Sequence, residues 1–200
     1  MNRFTRRQFL KLLGATSAFA AVPPMIRAAT TAPRVVIIGG GFAGATLAKY
    51  LRHWGGNIDV TLVDANASHY SCILSNLVVT NSLDMSRITL SYDSLRTKYG
   101  VNIVNDIATA VDPVAHTVSL GGGTTLPYDR LVLAPGIDFI RPFGWDENPA
   151  PHAWQAGPQT TLLARQLAAM PAGGVFAMTV PKAPYRCPPG PYERVCQVAH

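Results

Sequence analysis

The sequence predicts an α/β fold, on three observations. Arg34 to Ile38 (RVVII) is a continuous apolar, β-branched run of the kind that fills a buried parallel strand. Gly39-x-Gly41-x-x-Gly44 follows it at once and opens a stretch of good helix formers, ATLAKYLRHW. Asn57 to Val63 (NIDVTLV) is β-branched again and ends at Asp64. Strand, glycine turn, helix, strand and acid make one βαβ unit of about 30 residues, which is Rossmann-like.

The remaining elements follow in order. Gly55 and Gly56 stop the first helix. Residues 65–82 lack periodicity and are rich in Ser and Asn, which predicts a long loop or a short irregular helix. Ser91 to Tyr99 reads as a helix ending before Gly100, and Val101 to Val104 as a third strand. From Ile107 to Leu126, short runs separated by Asp112-Pro113 and Gly121 to Gly123 predict a small antiparallel β insertion. Leu131 to Ala134 is another buried strand, ending at Pro135-Gly136. Residues 137–158 are irregular and read as a linker. Gln159 to Met170 has an amphipathic pattern, with Leu162, Leu163 and Leu167 apolar. Val175 to Val180 reads as a new strand. A Pro-rich loop and a helix from about Tyr192 then start a second α/β unit.

The glycine pattern has a specific use. The first glycine permits the tight turn, the second lets a pyrophosphate approach the backbone, and the third lets helix and strand pack closely. The helix start presents free N–H groups and a positive dipole end to phosphate. Gly39, Gly40, Gly41, Phe42, Ala43 and Gly44 are therefore candidate cofactor-binding residues. Asp64, 20 residues past Gly44, is placed to accept hydrogen bonds from an adenosine ribose.

The N-terminus reads differently. Arg6 and Arg7 form a twin arginine, followed by a short apolar stretch from Phe9 to Ala21 and then small residues. That layout predicts a twin-arginine export signal over residues 1–32, cleaved near Ala18–Ala20 or within Ala28–Ala32. The apolar run is too short to span a bilayer and meets Pro23 and Pro24, so no stable membrane span is expected. The chain has 17 basic and 11 acidic residues, and Arg3, Arg6, Arg7, Lys11 and Arg27 lie in this segment, which has no acid. Its removal leaves 12 basic against 11 acidic, net +1. The basic balance thus belongs to the signal, and no nucleic-acid surface is indicated. A periplasmic location, where disulfides persist, is the consequence.

There are three cysteines, too few for a disulfide scaffold. Cys72 lies in HYSCILSN (69–76) and could be core packing, half of a disulfide, a nucleophile or an attachment point. Cys187 sits on a Pro-rich loop before a helix, with Arg186 and Arg194 nearby as cations able to favour a thiolate. Cys196 is expected to pack in the core. A Cys187–Cys196 bridge is disfavoured, because nine residues of mostly helical chain separate them. The five histidines show no metal-ligand spacing, and no Cys-x-x-Cys-His is present, so neither a metal nor a c-type haem is expected on this chain.

A family resemblance narrows these readings. Tyr128-Asp-Arg-Leu-Val-Leu-Ala-Pro-Gly136 resembles the second FAD motif of two-dinucleotide-domain flavoproteins, with Pro135 in place of the usual Thr. With Gly39–Gly44, Asp64 and the β insertion, it resembles a glutathione-reductase-like FAD domain. Ala134, Pro135 and Gly136 join the candidate FAD-binding residues on that ground. HYSCILSN, PHAWQAGPQT (151–160) and Ala183 to Arg194 (APYRCPPGPYER) are similar to the flavoprotein subunit of flavocytochrome c sulfide dehydrogenase.

The resemblance implies an FAD-binding domain, first segment, over 33–150, then a linker and the start of a central domain, truncated, over 151–200. It implies FAD held covalently through Cys72, with Cys187 as one cysteine of a redox disulfide whose second member lies beyond residue 200. It further implies sulfide as the small-molecule substrate and a c-type cytochrome subunit as the partner. A sulfide:quinone reductase or other disulfide-type flavin oxidoreductase is the alternative, although PKAPYRCPPG lacks the second glycine pattern that NADH would require. An inactive truncated fragment is the other, since the chain ends inside a predicted helix.

Overall fold

The computed structural model describes residues 31–180 and 182–200, so the segment read as an export signal lies outside the described residues. The parallel sheet is set by the apolar runs. Strand β1 (Arg34–Ile38) is central. It pairs in parallel with β2 (Asp59–Asp64) on one side and with β9 (Arg130–Leu133) on the other. Strand β5 (Asn102–Asn105) extends the sheet beyond β2, giving the order β5-β2-β1-β9.

Burial on both faces explains why β1 shows no polar alternation. Val35 and Ile37 pack with Val60, Leu62 and Val101 against helix α1 (Phe42–Trp54), whose Ala48 is fully buried. Val36 and Val63 face the other way, against Val118, Leu120 and Tyr128. Val118 and Leu120 belong to the antiparallel insertion of β6 (Ala108–Asp112), β7 (Thr117–Leu120) and β8 (Thr125–Pro127). Helix α3 (Asp93–Tyr99) ends at Gly100 in the left-handed conformation, as its glycine predicts.

Residues 65–92 hold more order than their composition suggests. Strands β3 (Ser68–Tyr70) and β4 (Thr89–Ser91) form an antiparallel ribbon, with helix α2 (Ser75–Val79) and a 3-10 turn (Met85–Ile88) between them. Helix α2 is the packing hub of the C-terminal part. Val78 packs with Ile88 and Ala156, and Val79 packs with Ala153 and with Leu163 of helix α4 (Pro158–Ala168). The second half of the expected linker is therefore core, whereas Ile140 and Phe143 in its first half are fully exposed. From Ala32 onward the chain is one compact unit.

Two expectations fail here. Val175 to Val180 pairs with no strand among the described residues, and Val175 is exposed. β-branched composition alone does not make a strand without a neighbouring edge to bond. Cys196 is exposed on helix α5 (Gly190–Ala199) rather than packed. The inward stripe of α5 runs through Gly190, Pro191 and Arg194, and position 196 falls off it.

The sheet's lower edge carries a testable ion pair. The Asp129 carboxylate accepts from the Arg34 amide at 2.7 Å and from its guanidinium at 3.1 and 3.3 Å. Hydrogen bonding to Arg34 lowers the Asp129 carboxyl to about 2. An unfolded Asp titrates near ~3.9, so this contribution is present above that pH and is lost as pH falls through about 2. Asp129→Asn should lower Tm at neutral pH, and the difference from the parent should shrink through this window in thermal melts. Both groups are half-exposed, so the effect should be small.

Candidate functional site

The carboxyl ends of β1 and β9 place the two glycine motifs side by side. The strand order reverses between these strands, the point where open α/β sheets bind ligands. Ala134 N donates to Ile38 O at 2.8 Å, continuing the ladder past β9. Gly39 has φ +102°, and a Cβ there would lie 2.1 Å from Ala134 O, so only glycine lets the two loops touch. A Cβ on Gly44 would lie 1.8 Å from Gly39 O, which is the close helix–strand contact the motif anticipates. A Cβ on Gly41 would meet only His69 Cε1 at 3.8 Å, so the loop keeps an open, side-chain-free surface there.

Helix α1 starts at Phe42 with Gly41 as its cap, without a capping side chain and without an acid in its first turn. Its N-terminal donors are left to a ligand. Asp64 ends β2 and closes on the loop, its Oδ2 accepting from Gly40 N at 2.6 Å and its Oδ1 from Asn66 N at 2.7 Å.

Two cavities flank the loop. One, of ≈ 250 Å³, is lined by Gly40, Gly41, Phe42, Lys49, His69 and Tyr92 among others. The other, of ≈ 120 Å³, lies between Asp64, Ser68, His69, Tyr92 and Gln155. His69 and Tyr92 line both, and His69 Nε2 and Tyr92 Oη are buried without a hydrogen-bond partner among the described residues. Burial, and secondarily the Asp64 carboxylate, raise the Tyr92 phenol well above its ordinary range, so it remains a donor. Asp64 is close enough to act on Tyr92 as a charge, but the hydroxyl makes no well-formed bond to it.

The cysteines lie outside this loop. Cys72 is exposed in the turn leading to α2, where its carbonyl accepts from Ser75 N at 3.2 Å and Ser75 Oγ at 2.8 Å. Cys187 is exposed, with φ +54°, and its carbonyl accepts from Gly190 N at 2.9 Å at the start of α5. No disulfide joins any two of the three cysteines. Pro135 and Gly136 are exposed, and Pro135 Cα lies 3.2 Å from the position of a Cβ on Gly39.

Comparison with known proteins gives the family. Residues 33–158 match the family model described as pyridine nucleotide-disulphide oxidoreductase. Residues 160–200 match the model of the sulfide dehydrogenase [flavocytochrome c] flavoprotein chain, central. A flavoprotein chain of that name from Chlorobaculum thiosulfatiphilum is 51% identical over 45 residues, 22% of this chain and 94% of the relative. The chain belongs to the pyridine nucleotide-disulphide oxidoreductases, in the branch of that flavoprotein chain.

Solved pyridine nucleotide-disulphide-type folds agree. The sulfide:quinone oxidoreductase of Aquifex aeolicus superposes with TM-score 0.59 at 24% identity, over 68% of this chain and 32% of its own. A water-forming NADH oxidase from Lactobacillus brevis gives TM-score 0.52 at 25% identity, over 56% of this chain and 26% of its own. The chain thus spans about a third or less of the length of these two structures.

FAD, the dinucleotide of this oxidoreductase fold, fits the residues present. The open Gly41 surface and the uncapped α1 start suit a pyrophosphate, and the Asp64 oxygens retain lone pairs for a ribose. Tyr92 and His69 supply unpaired polar atoms beside both. The sequence reading missed these two. His69 lies in an unpatterned stretch and Tyr92 at the start of a predicted helix, neither with a local signal of function, and the β3–β4 ribbon brings them to the loop.

The sequence reading also missed how the cysteine segments are joined. Asn76 Nδ2 donates to Glu193 Oε1 at 3.0 Å, and Arg194 Nε donates to Asn76 Oδ1 at 2.9 Å. The expectation that Arg194 serves Cys187 directly is corrected. Its guanidinium is committed to Asn76, to the carbonyls of His152 and Ala153, and to the face of Trp154.

Proposed function

We propose that this chain is the N-terminal part of an exported FAD-dependent sulfide dehydrogenase flavoprotein. In this reading residues 33–150 form the first segment of the FAD domain, and 151–200 the linker and start of a central domain. Cys72 tethers the flavin and Cys187 is the redox thiol. A c-type cytochrome subunit in the periplasm takes the electrons. The observation that carries it is the docking of the Cys187 loop and α5 onto the HYSCILSN segment through Asn76. Family membership over residues 160–200 supports the same assignment.

The residues suit thiol–disulfide exchange. Hydrosulfide attacks the disulfide between Cys187 and a second cysteine supplied from outside these 200 residues. A sulfur–sulfur bond forms between sulfide and the attacked cysteine, the Cys–Cys bond breaks, and the released thiolate holds the electron pair. The persulfide loses its proton to solvent and joins the released thiolate through a new sulfur–sulfur bond, and FAD, when bound, would take the two electrons given up in that step and pass them singly to a haem partner. The exposure of Cys187 gives a small anion access. Its left-handed φ is a conformation that a non-glycine residue adopts at a cost, a pattern that concentrates at functional sites.

The acceptor is tested with the full-length flavin-loaded protein and sulfide under anaerobic conditions, offering a c-type cytochrome and a soluble quinone in parallel. Haem reduction with little quinone reduction is the expected result. Preferential quinone reduction would move the assignment to the quinone-reductase alternative, and no reduction of either would refute it.

A further inference from the structure

Helix α5 is joined to the HYSCILSN segment at one polar point. Asn76 is four residues past Cys72, on α2, and faces two adjacent residues of α5 at once. Its oxygen accepts from Arg194 Nε at 2.9 Å, and its nitrogen donates to Glu193 Oε1 at 3.0 Å. A guanidinium only donates and a carboxylate only accepts, so the orientation of the amide is fixed by its partners. Arg194 is only 2% exposed and is otherwise spent on holding the chain. Nη1 and Nη2 donate to His152 O at 3.1 Å and Ala153 O at 2.8 Å, and the guanidinium carbon lies 3.8 Å from the Trp154 ring centroid. Trp154 in turn flanks Gly190. A Cβ there would lie 3.4 Å from Trp154 Cζ3 and 3.1 Å from Cys187 Sγ. Asn76, Arg194 and Trp154 thus lead from the Cys72 segment to Gly190, whose amide donates to the Cys187 carbonyl at 2.9 Å and whose missing side chain leaves room between Trp154 and the Cys187 sulfur.

We propose that Asn76 is a positioning residue that, through its paired contacts with Glu193 and Arg194, fixes the Cys187 sulfur relative to the segment carrying Cys72. It touches no reacting atom. It sets the separation and orientation across which the Cys187 electron pair must leave, so its loss lowers the rate of that step without changing sulfide capture. This proposal rests on the functional reading above. A charged guanidinium held almost wholly out of water for packing alone would be a costly device, and an apolar contact would serve as well. The three segments gathered by Arg194, around Asn76, His152–Trp154 and Gly190–Arg194, include both cysteine neighbourhoods.

The contact can be inverted. Asn76→Asp keeps the bond from Arg194 but sets a second carboxylate against Glu193. Adding Glu193→Gln restores complementarity with donor and acceptor exchanged. Three forms of the full-length flavin-loaded protein are compared with the parent: Asn76→Asp, Glu193→Gln, and both together. Two quantities are read, Tm and the rate of flavin bleaching by anaerobic sulfide as a function of concentration.

Asn76→Asp should lower Tm. It should also cut the limiting bleaching rate about 10- to 100-fold, the cost of a misplacement near 1 Å, with the half-saturating sulfide concentration unchanged. Glu193→Gln alone should stay near the parent, and the double variant should recover both Tm and rate. Additive losses in Tm would show that the contact does not exist in solution. A lowered Tm with an unchanged limiting rate would reduce Asn76 to a structural role, and a raised half-saturation with an unchanged limit would assign it to sulfide binding. Either overturns the proposal. If sulfide bleaches no form, the parent included, the functional reading fails and the positioning role falls with it, even where the Tm cycle still registers the contact.

Discussion

Cys187→Ser in the full-length, flavin-loaded protein abolishes sulfide oxidation, by at least about 10³-fold as for other essential nucleophiles, while the flavin stays bound. A serine hydroxyl forms no disulfide and leaves no thiolate, so the exchange step has no substitute. The fold has little reason to respond. Cys187 is exposed, and its sulfur is not part of any core cluster. The left-handed backbone costs serine much what it costs cysteine. The substitution leaves the Gly39–Gly44 loop, proposed to hold FAD, untouched, so flavin retention is expected. Anaerobic absorbance of the flavin before and after sulfide separates the two effects. Turnover near that of the parent would remove Cys187 from the chemistry.

Gly44→Ala is the substitution with the largest expected effect on folding. The added methyl would lie 1.8 Å from Gly39 O and 3.2 Å from Ile37 Cγ2. The first contact is backbone at the end of the central strand, which cannot rotate away. Helix α1 would have to lift off the sheet, separating Ala48 from Val35, Ile37 and Leu62. Loss of about 4 kcal/mol or more is expected, enough to leave a small domain largely unfolded, and FAD is lost with it. Gly41→Ala is the matched control. Its methyl meets only His69 Cε1, at 3.8 Å, so the fold should survive while the surface offered to the pyrophosphate is filled. Thermal melts and flavin content of the two variants give the comparison. Equal stability for both would contradict the role assigned to Gly44.

Most of the nucleotide-binding half was legible in the sequence because its signals are local. Strand β1 has the bounds its apolar run predicts, and Gly100 ends α3 as read. The β6–β8 insertion follows its Pro and Gly turns. Asp64 reaches the glycine loop because strand register places it there.

What escaped depends on long-range pairing. The three-residue strands β3 and β4 are too short to show alternation and are stable only as partners. Val175 to Val180 has strand composition without an edge to join among the described residues. Arg194 reads in sequence as a cation near Cys187. Its partners lie 41 to 118 residues away, and they decide what it does. Cys196 reads as apolar filling, yet the helix turns it outward because Arg194 occupies the inward stripe.

The proposed function divides labour between two cysteines, with Cys72 holding the flavin and Cys187 performing the redox step. The test is to denature and reduce the full-length protein, digest it, and weigh the cysteine-containing peptides. FAD retained on the peptide that contains Cys72, with the Cys187 peptide unmodified, is the predicted result. Flavin released completely, or found on the Cys187 peptide, would contradict it.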